Sequence, residues 1–211
     1  SYGAFTLVDS GNSIVLNWSP VQIIATWRGT SNADWNRASL NWDRSGTPIV
    51  YQDGIVTRLD DGTTITAINL TESVAPSSLV MDSTKNYSVG GVGSIDGAAT
   101  IVKNGSGSLT LATANGFTGG TTISAGTLVI SHVSALGTGA VTLSGGTWDT
   151  GNLTPLNAVV VTADSTIIGG NSGGGHGIKA VSGEGVLTLG ATSTFDLEGS
   201  LSNFSGRVVL S

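Results

Sequence analysis

Residues Val102–Asp149 read VKNGSGSLTLATANGFTGGTTISAGTLVISHVSALGTGAVTLSGGTWD. Apolar and hydroxyl side chains alternate through this stretch in short runs: Ser108–Leu111 (SLTL), Thr121–Ser124 (TTIS), Thr127–Ser131 (TLVIS) and Ala140–Ser144 (AVTLS). Alternation with a period of two sends successive side chains to opposite faces of an extended strand. Gly, Asn, Asp and Ser separate the runs, and these are the residues that make turns. The same texture continues downstream in Ala158–Thr162 (AVVVT) and Val186–Leu189 (VLTL). Only Asp34–Leu40 (DWNRASL) reads as a helical turn. The strand spacing is compatible with a sandwich, a barrel or a solenoid.

Internal repeats favour the solenoid. Gly105–Leu111 reads GSGSLTL and Gly183–Leu189 reads GEGVLTL. The first is followed by GFTG at Gly116–Gly119, the second by NFSG at Asn203–Gly206. Related phrases lie between them, SAGTLVIS at Ser124–Ser131 and LSGGTWDT at Leu143–Thr150. Strands that recur with Gly-rich corners suit the turns of a coil, in which each repeat packs only on its neighbours. Inward Leu, Val and Ile then stack along the axis, outward Thr and Ser meet water, and Trp148 falls on the inward side. The expectation is an all-β parallel β-helix forming one elongated domain over 1–211. Its parts are an aromatic-rich stretch at 1–60, a best-formed repeat at 102–149 and a second partial repeat at 182–211.

The 102–149 stretch closely resembles the autotransporter-associated β-strand repeat, also called the passenger-associated transport repeat. Its phrase runs K-x-G-x-G-T-L-x-L, N-x-[YF]-[TS]-G-G-T, I-x-x-G-T-L, A-L-G-x-G. Lys103, Gly105, Gly107, Leu109 and Leu111 match the opening. Asn115, Phe117, Gly119, Gly120 and Thr121 match the middle. Gly126, Thr127, Leu128, Ala135, Leu136, Gly137 and Gly139 match the end. Trp148 departs from the pattern, standing where Leu is more usual. The Thr26–Trp42 phrase TWRGTSNADWNRASLNW is similar to segments that precede such repeats, and Asn86–Lys103 to the bridge into them. The resemblance implies a right-handed parallel β-helix in a large secreted or surface-displayed protein. It implies no catalytic residues.

Composition narrows the function. The chain has 211 residues, 8 Lys and Arg, a formal net charge of −6, 32 Gly and no Cys. Eight scattered basic residues give no electrostatic footprint for nucleic acid. No apolar run is long enough to span a membrane as a helix. Without Cys, and with only His132 and His176, thiol chemistry and Cys/His zinc sites are excluded. Charged residues are 10% of the chain, against about 25% on average, and Thr, Ser, Gly and Asn take their place. The chain shows no signal peptide, and Ser1 reads as the start of a fragment or mature form, part of a larger multidomain chain.

Trp18, Trp27, Trp35 and Trp42 crowd the first 43 residues, and Tyr51 follows. Flat rings beside planar amides and carboxylates suit a sugar-binding surface, where a pyranose stacks on the ring and polar groups bind its hydroxyls. The expected carbohydrate-binding residues are Trp27, Trp35, Trp42 and Tyr51 for stacking, with Asp34, Asn41 and Asp43 as polar partners. The competing reading is a packed cap over the open end of the solenoid. Asp53, Asp60, Asp61, Asp82 and Asp96 could serve acid–base chemistry, with Arg28, Arg37, Arg44, Arg58, Lys85 and Lys103 as bases. Most of the carboxylates sit in turn phrases such as DGTT at Asp61–Thr64, so no enzyme is expected. No cofactor is expected, although Asp9–Asn12 and Asp60–Gly62 could offer oxygens to a structural calcium. Gly169–Gly177 is a Gly-rich loop without the Lys-Ser/Thr of a phosphate loop. The leading expectation is an extracellular, monomeric, non-catalytic module that binds polysaccharide. The alternative is a structural passenger or adhesin segment of a surface-displayed protein.

Overall fold

The computed structural model describes residues 3–9, 11, 13–20, 22–169, 178–191 and 201–211. Strand β1 (Gly3–Asp9) pairs antiparallel with β2 (Ile14–Pro20), and this hairpin belongs to neither of the large sheets. Then follow β3 (Ile24–Trp27), β4 (Asp34–Trp35), β5 (Trp42–Arg44) and β6 (Thr47–Ile49). From there each turn of the coil contributes two strands. They are β7 (Val56–Leu59) with β8 (Ala67–Leu70), β9 (Ser78–Met81) with β10 (Tyr87–Gly91), and β11 (Thr100–Lys103) with β12 (Ser108–Leu111). Next come β13 (Thr121–Ile123) with β14 (Thr127–Ile130), β15 (Val141–Ser144) with β16 (Thr147–Asp149), and β17 (Val159–Ala163) with β18 (Ser165–Gly169). The last are β19 (Val181–Gly183) with β20 (Val186–Ala191), and β21 (Asn203–Phe204) with β22 (Arg207–Leu210).

Among the described residues the first strands of each pair, with β3, β5 and β6, build an 11-stranded sheet, and the second strands, with β4, a 9-stranded one. Successive turns pair in parallel, Ile101 beside Thr121 and Thr121 beside Val141. The molecule is therefore an all-β parallel β-solenoid, as the repeats predict. The expected strands reappear within a residue or two of their sequence bounds, and Ser108–Leu111 is matched end to end.

The register explains the composition. Leu79, Ile101, Thr121, Val141, Val159 and Val181 form one inward column. Tyr87, Leu109, Leu128, Trp148, Ile167 and Leu189 form another on the facing sheet. Each fully buried aliphatic side chain contributes about 1.5–3 kcal/mol of transfer free energy. Trp148 lies in the core between Leu128 and Ile167, the place its Leu-like position predicts. On the outward face Ser108, Thr127, Thr147, Thr166 and Thr188 stand in register, so the Thr excess is the solvent half of the alternation.

The third side of the coil is mostly loop and is held by buried amides. Asn115 Oδ1 accepts the Ile95 N–H at 2.8 Å, while Nδ2 donates to the Ala135 carbonyl at 2.7 Å. One side chain thus links the turn before it to the turn after it. Asn157 Nδ2 donates to the Gly139 carbonyl at 2.7 Å in the same way. A buried donor or acceptor left unpaired costs about 1–3 kcal/mol, so these amides add to the backbone bonds between turns on this side, such as Gly116 N–H to the Ile95 carbonyl at 3.0 Å.

The N-terminal part differs from a plain continuation of the coil. The described solenoid sheets begin with β3, and the chain then doubles back: β5 pairs antiparallel with β3, and β6 antiparallel with β5. Asp43 Oδ1 accepts the Gly46 N–H at 3.0 Å and closes the tight turn between β5 and β6. The reversed strands cover the parallel edge that β3 would otherwise present, a usual protection against edge-to-edge pairing. Asp34–Leu40 is not helical. Asn36 Oδ1 accepts the N–H groups of Ala38 at 2.9 Å and Ser39 at 2.7 Å, a local bond that competes with helix formation. No helix occurs among the described residues.

Candidate functional site

The fold brings the expected aromatic residues together, and it buries them. Trp27 ends β3, Trp35 ends β4 and Trp42 opens β5 directly opposite Trp27. Tyr51 follows β6. Trp27 and Trp42 meet edge to face at 5.2 Å, Trp35 and Trp42 at 5.0 Å, and Trp35 and Tyr51 at 5.5 Å. Their exposures are 0% for Trp27 and Trp35 and 1% for Trp42 and Tyr51. No ring face is open to a pyranose, so the exposed stacking platform expected for Trp27, Trp35, Trp42 and Tyr51 is corrected to a packed cap. The reason is the reversal at β5, which turns Trp42 inward over the first turn of the core. Edge-to-face pairs of this kind contribute about 0.5–1.5 kcal/mol each beyond their area. The side chain of Trp18 lies outside the described ones.

Trp27 Nε1 donates to the Ile65 carbonyl at 2.7 Å and ties the cap to the next turn. Trp35 Nε1 and Trp42 Nε1 are buried with no hydrogen-bond partner among the described residues, so apolar packing holds their rings together. Burial pushes the Tyr51 phenol well above its ordinary pKa.

The expected polar partners serve the chain itself. Asn41 is fully buried. Its Oδ1 accepts the Ser31 N–H at 2.8 Å, and its Nδ2 donates to Asn32 Oδ1 at 2.6 Å and the Asp34 carbonyl at 2.8 Å. Asp34 Oδ1 accepts a bond from Asn69 Nδ2 at 2.7 Å, and Asp43 closes the β5–β6 turn. These three residues shape the cap loops, and none is grouped with an exposed ring.

The remaining carboxylates are also engaged. Asp60 binds Arg28 at 2.7 Å, Asp53 binds Arg37 at 2.6 Å and Asp82 binds Arg58 at 3.4 Å. Asp61 accepts from Ser83 Oγ at 2.5 Å and the Thr84 N–H at 2.9 Å. Asp96 accepts from Ser94 Oγ at 2.6 Å. Asp60–Gly62 therefore offers carboxylates that already have partners, and Asp9 Oδ1 accepts the Gly11 N–H at 2.8 Å. Among the described residues no three His, Cys, Asp or Glu side chains gather as a metal site. His132 Nδ1 accepts the Ser134 N–H at 3.0 Å, and His176 lies outside the described residues. A groove beside these turns is lined by Thr64, Thr66, Thr84, Lys85 and Asn86, and carries no ring.

One residue has a role that its motif match did not reveal. Lys103 is fully buried at an inward position two residues beyond Ile101, in register with Met81 and Ile123. Its Nζ donates to the carbonyls of Gly105 at 2.6 Å, Asn104 at 2.9 Å and Ala125 at 2.9 Å. The alternation Ile101 in, Val102 out, Lys103 in was a signal available in the sequence.

Comparison with known families matches residues 101–130 to the passenger-associated-transport-repeat. No curated protein and no solved structure matches the chain. The matched residues run from β11 through β14, two strands from each sheet. Residues 101–130 are thus similar to a passenger-associated transport repeat, and they are built into a parallel β-solenoid.

Proposed function

We propose that the chain is a non-catalytic structural passenger segment, a rigid stretch of a larger surface-displayed or secreted protein whose role is to extend and present other parts. The observation that carries this reading is the repeat itself: residues 101–130 match a passenger-associated repeat and lie in an unbroken run of parallel turns. Two features support it. The aromatic cluster packs as a cap, and the Arg28–Asp60 and Arg58–Asp82 pairs, with Lys85 and Lys103, tie turns together. No helix is long and apolar enough to cross a membrane among the described residues. Stacked repeats resist bending because each turn is bonded to the next along both sheets, which suits a spacer.

Two measurements test the reading. With Trp18 replaced by Phe, acrylamide quenching of the four remaining Trp is expected to be weak. Affinity electrophoresis through xylan, β-glucan or pectin is expected to show no retardation. Strong quenching together with retardation that Trp27→Ala or Trp35→Ala abolishes would return the chain to a carbohydrate-binding role.

A further inference from the structure

We propose that the corner after β11 is a cage for a primary ammonium ion, and that the chain fills it with its own Lys103 side chain. Three observations meet there. The carbonyls of Asn104, Gly105 and Ala125 all accept from Lys103 Nζ, at 2.6–2.9 Å. An ammonium has three donors and no acceptor, so donors and acceptors match one to one. Among the described residues no backbone N–H bonds to these three carbonyl oxygens. The cage also joins two turns, since Asn104 and Gly105 follow β11 whereas Ala125 precedes β14 one turn later.

The surrounding glycines fit the same purpose. Gly126 has φ +64°, and a Cβ there would stand 2.5 Å from Lys103 Nζ and 2.5 Å from the Gly105 and Gly107 carbonyl oxygens. A Cβ on Gly105 would stand 2.2 Å from the Ser83 backbone. Side chains at either place would push the carbonyls off the ammonium. Lys103, Gly105, Gly107 and Gly126 of the repeat phrase are thereby parts of one device, an internal cation that replaces a bound ion at a tight corner. Burial pushes the Lys103 pKa down to about 8, with the Asp82 carboxylate acting in the opposite direction.

The test removes the internal ion and offers an external one. Lys103→Ala deletes the equivalent of propylammonium, and in the full chain it is expected to lower Tm by about 5–10 °C. Propylammonium chloride is expected to restore part of that loss, while choline chloride at equal concentration is not. Lys103→Met keeps the apolar volume without donors, and is expected to be destabilised and indifferent to propylammonium. Equal responses to both salts, or a Lys103→Met chain as stable as the original, would overturn the proposal. If the Ala variant does not fold, the unaltered chain decides by nuclear magnetic resonance at neutral pH. A slowly exchanging Lys103 ammonium that correlates with the carbonyl carbons of Asn104, Gly105 and Ala125 supports the cage. A freely exchanging one refutes it.

Discussion

Replacing Trp42 by Ala separates a cap from a binding surface. Trp42 is 1% exposed and touches three rings, Trp27 at 5.2 Å, Trp35 at 5.0 Å and Tyr51 at 6.1 Å. It also sits where β5 pairs with both β3 and β6. Truncating a buried Trp costs about 3–5 kcal/mol in transfer and cavity terms. For a chain of this size each kcal/mol lowers Tm by about 2–4 °C, so Trp42→Ala is expected to lower it by roughly 10 °C. Because a solenoid is stabilised turn by turn, the loss should be greatest near the cap. Hydrogen exchange should accelerate in Ile24–Trp27 and Val56–Leu59 and change little in Val159–Ala163. Circular dichroism melting and exchange mass spectrometry check the two claims, with Trp42→Phe as a milder control. A Trp42→Ala chain with unchanged Tm and unchanged exchange would refute the cap. A stacking platform predicts that outcome, since an exposed ring can be lost at little cost in stability.

Other perturbations follow from the same geometry. Gly126→Ala should destabilise by about 1–3 kcal/mol, seen by denaturant melting, because it adds a side chain at positive φ in a filled corner. Asn115→Ala should cost about 1–3 kcal/mol by leaving the Ile95 N–H and Ala135 carbonyl unpaired, whereas Asn115→Asp should restore only the first bond. Acid should weaken the N-terminal turns. Burial works against the Asp60 carboxylate, but Arg28 and the Gly62 N–H outweigh it and hold its pKa below the ordinary value. A carboxyl lowered on folding stabilises the chain above its unfolded pKa of about 3.9, and that contribution disappears as pH falls through the folded value. For this partly exposed pair the contribution is about 0.2–1 kcal/mol, and Asp60→Asn should reduce the fall in Tm between pH 5 and acid. A steeper fall in the variant would contradict the assignment.

Much of the fold was legible in the sequence because a solenoid is local and periodic. Alternation in SLTL or TLVIS fixes which side chains point inward, and the recurring GxGxLTL phrase fixes the turn. Trp148 could be placed in the core because the phrase around it puts a Leu-like position inward. Stacking, once begun, leaves each turn little choice of neighbour, so the pattern along the chain carries over into space. The same periodicity accounts for the Gly and Thr surplus.

The cap was decided elsewhere. Residues Thr26 to Tyr51 carry no repeat, so nothing in their order says whether four rings face water or one another. That depends on β5 reversing against β3, a pairing between strands of opposite direction that local alternation does not encode. Lys103 gives the converse case. In the sequence it reads as a motif match and an available base, whereas a charge at an inward position is tolerable only if partners are waiting, and those partners are carbonyls from two different turns. The sequence by itself determined the coil, its inward columns and its corners. Only the tertiary structure decided what the rings and the buried ammonium meet, because both are settled by contacts between turns that no single repeat contains.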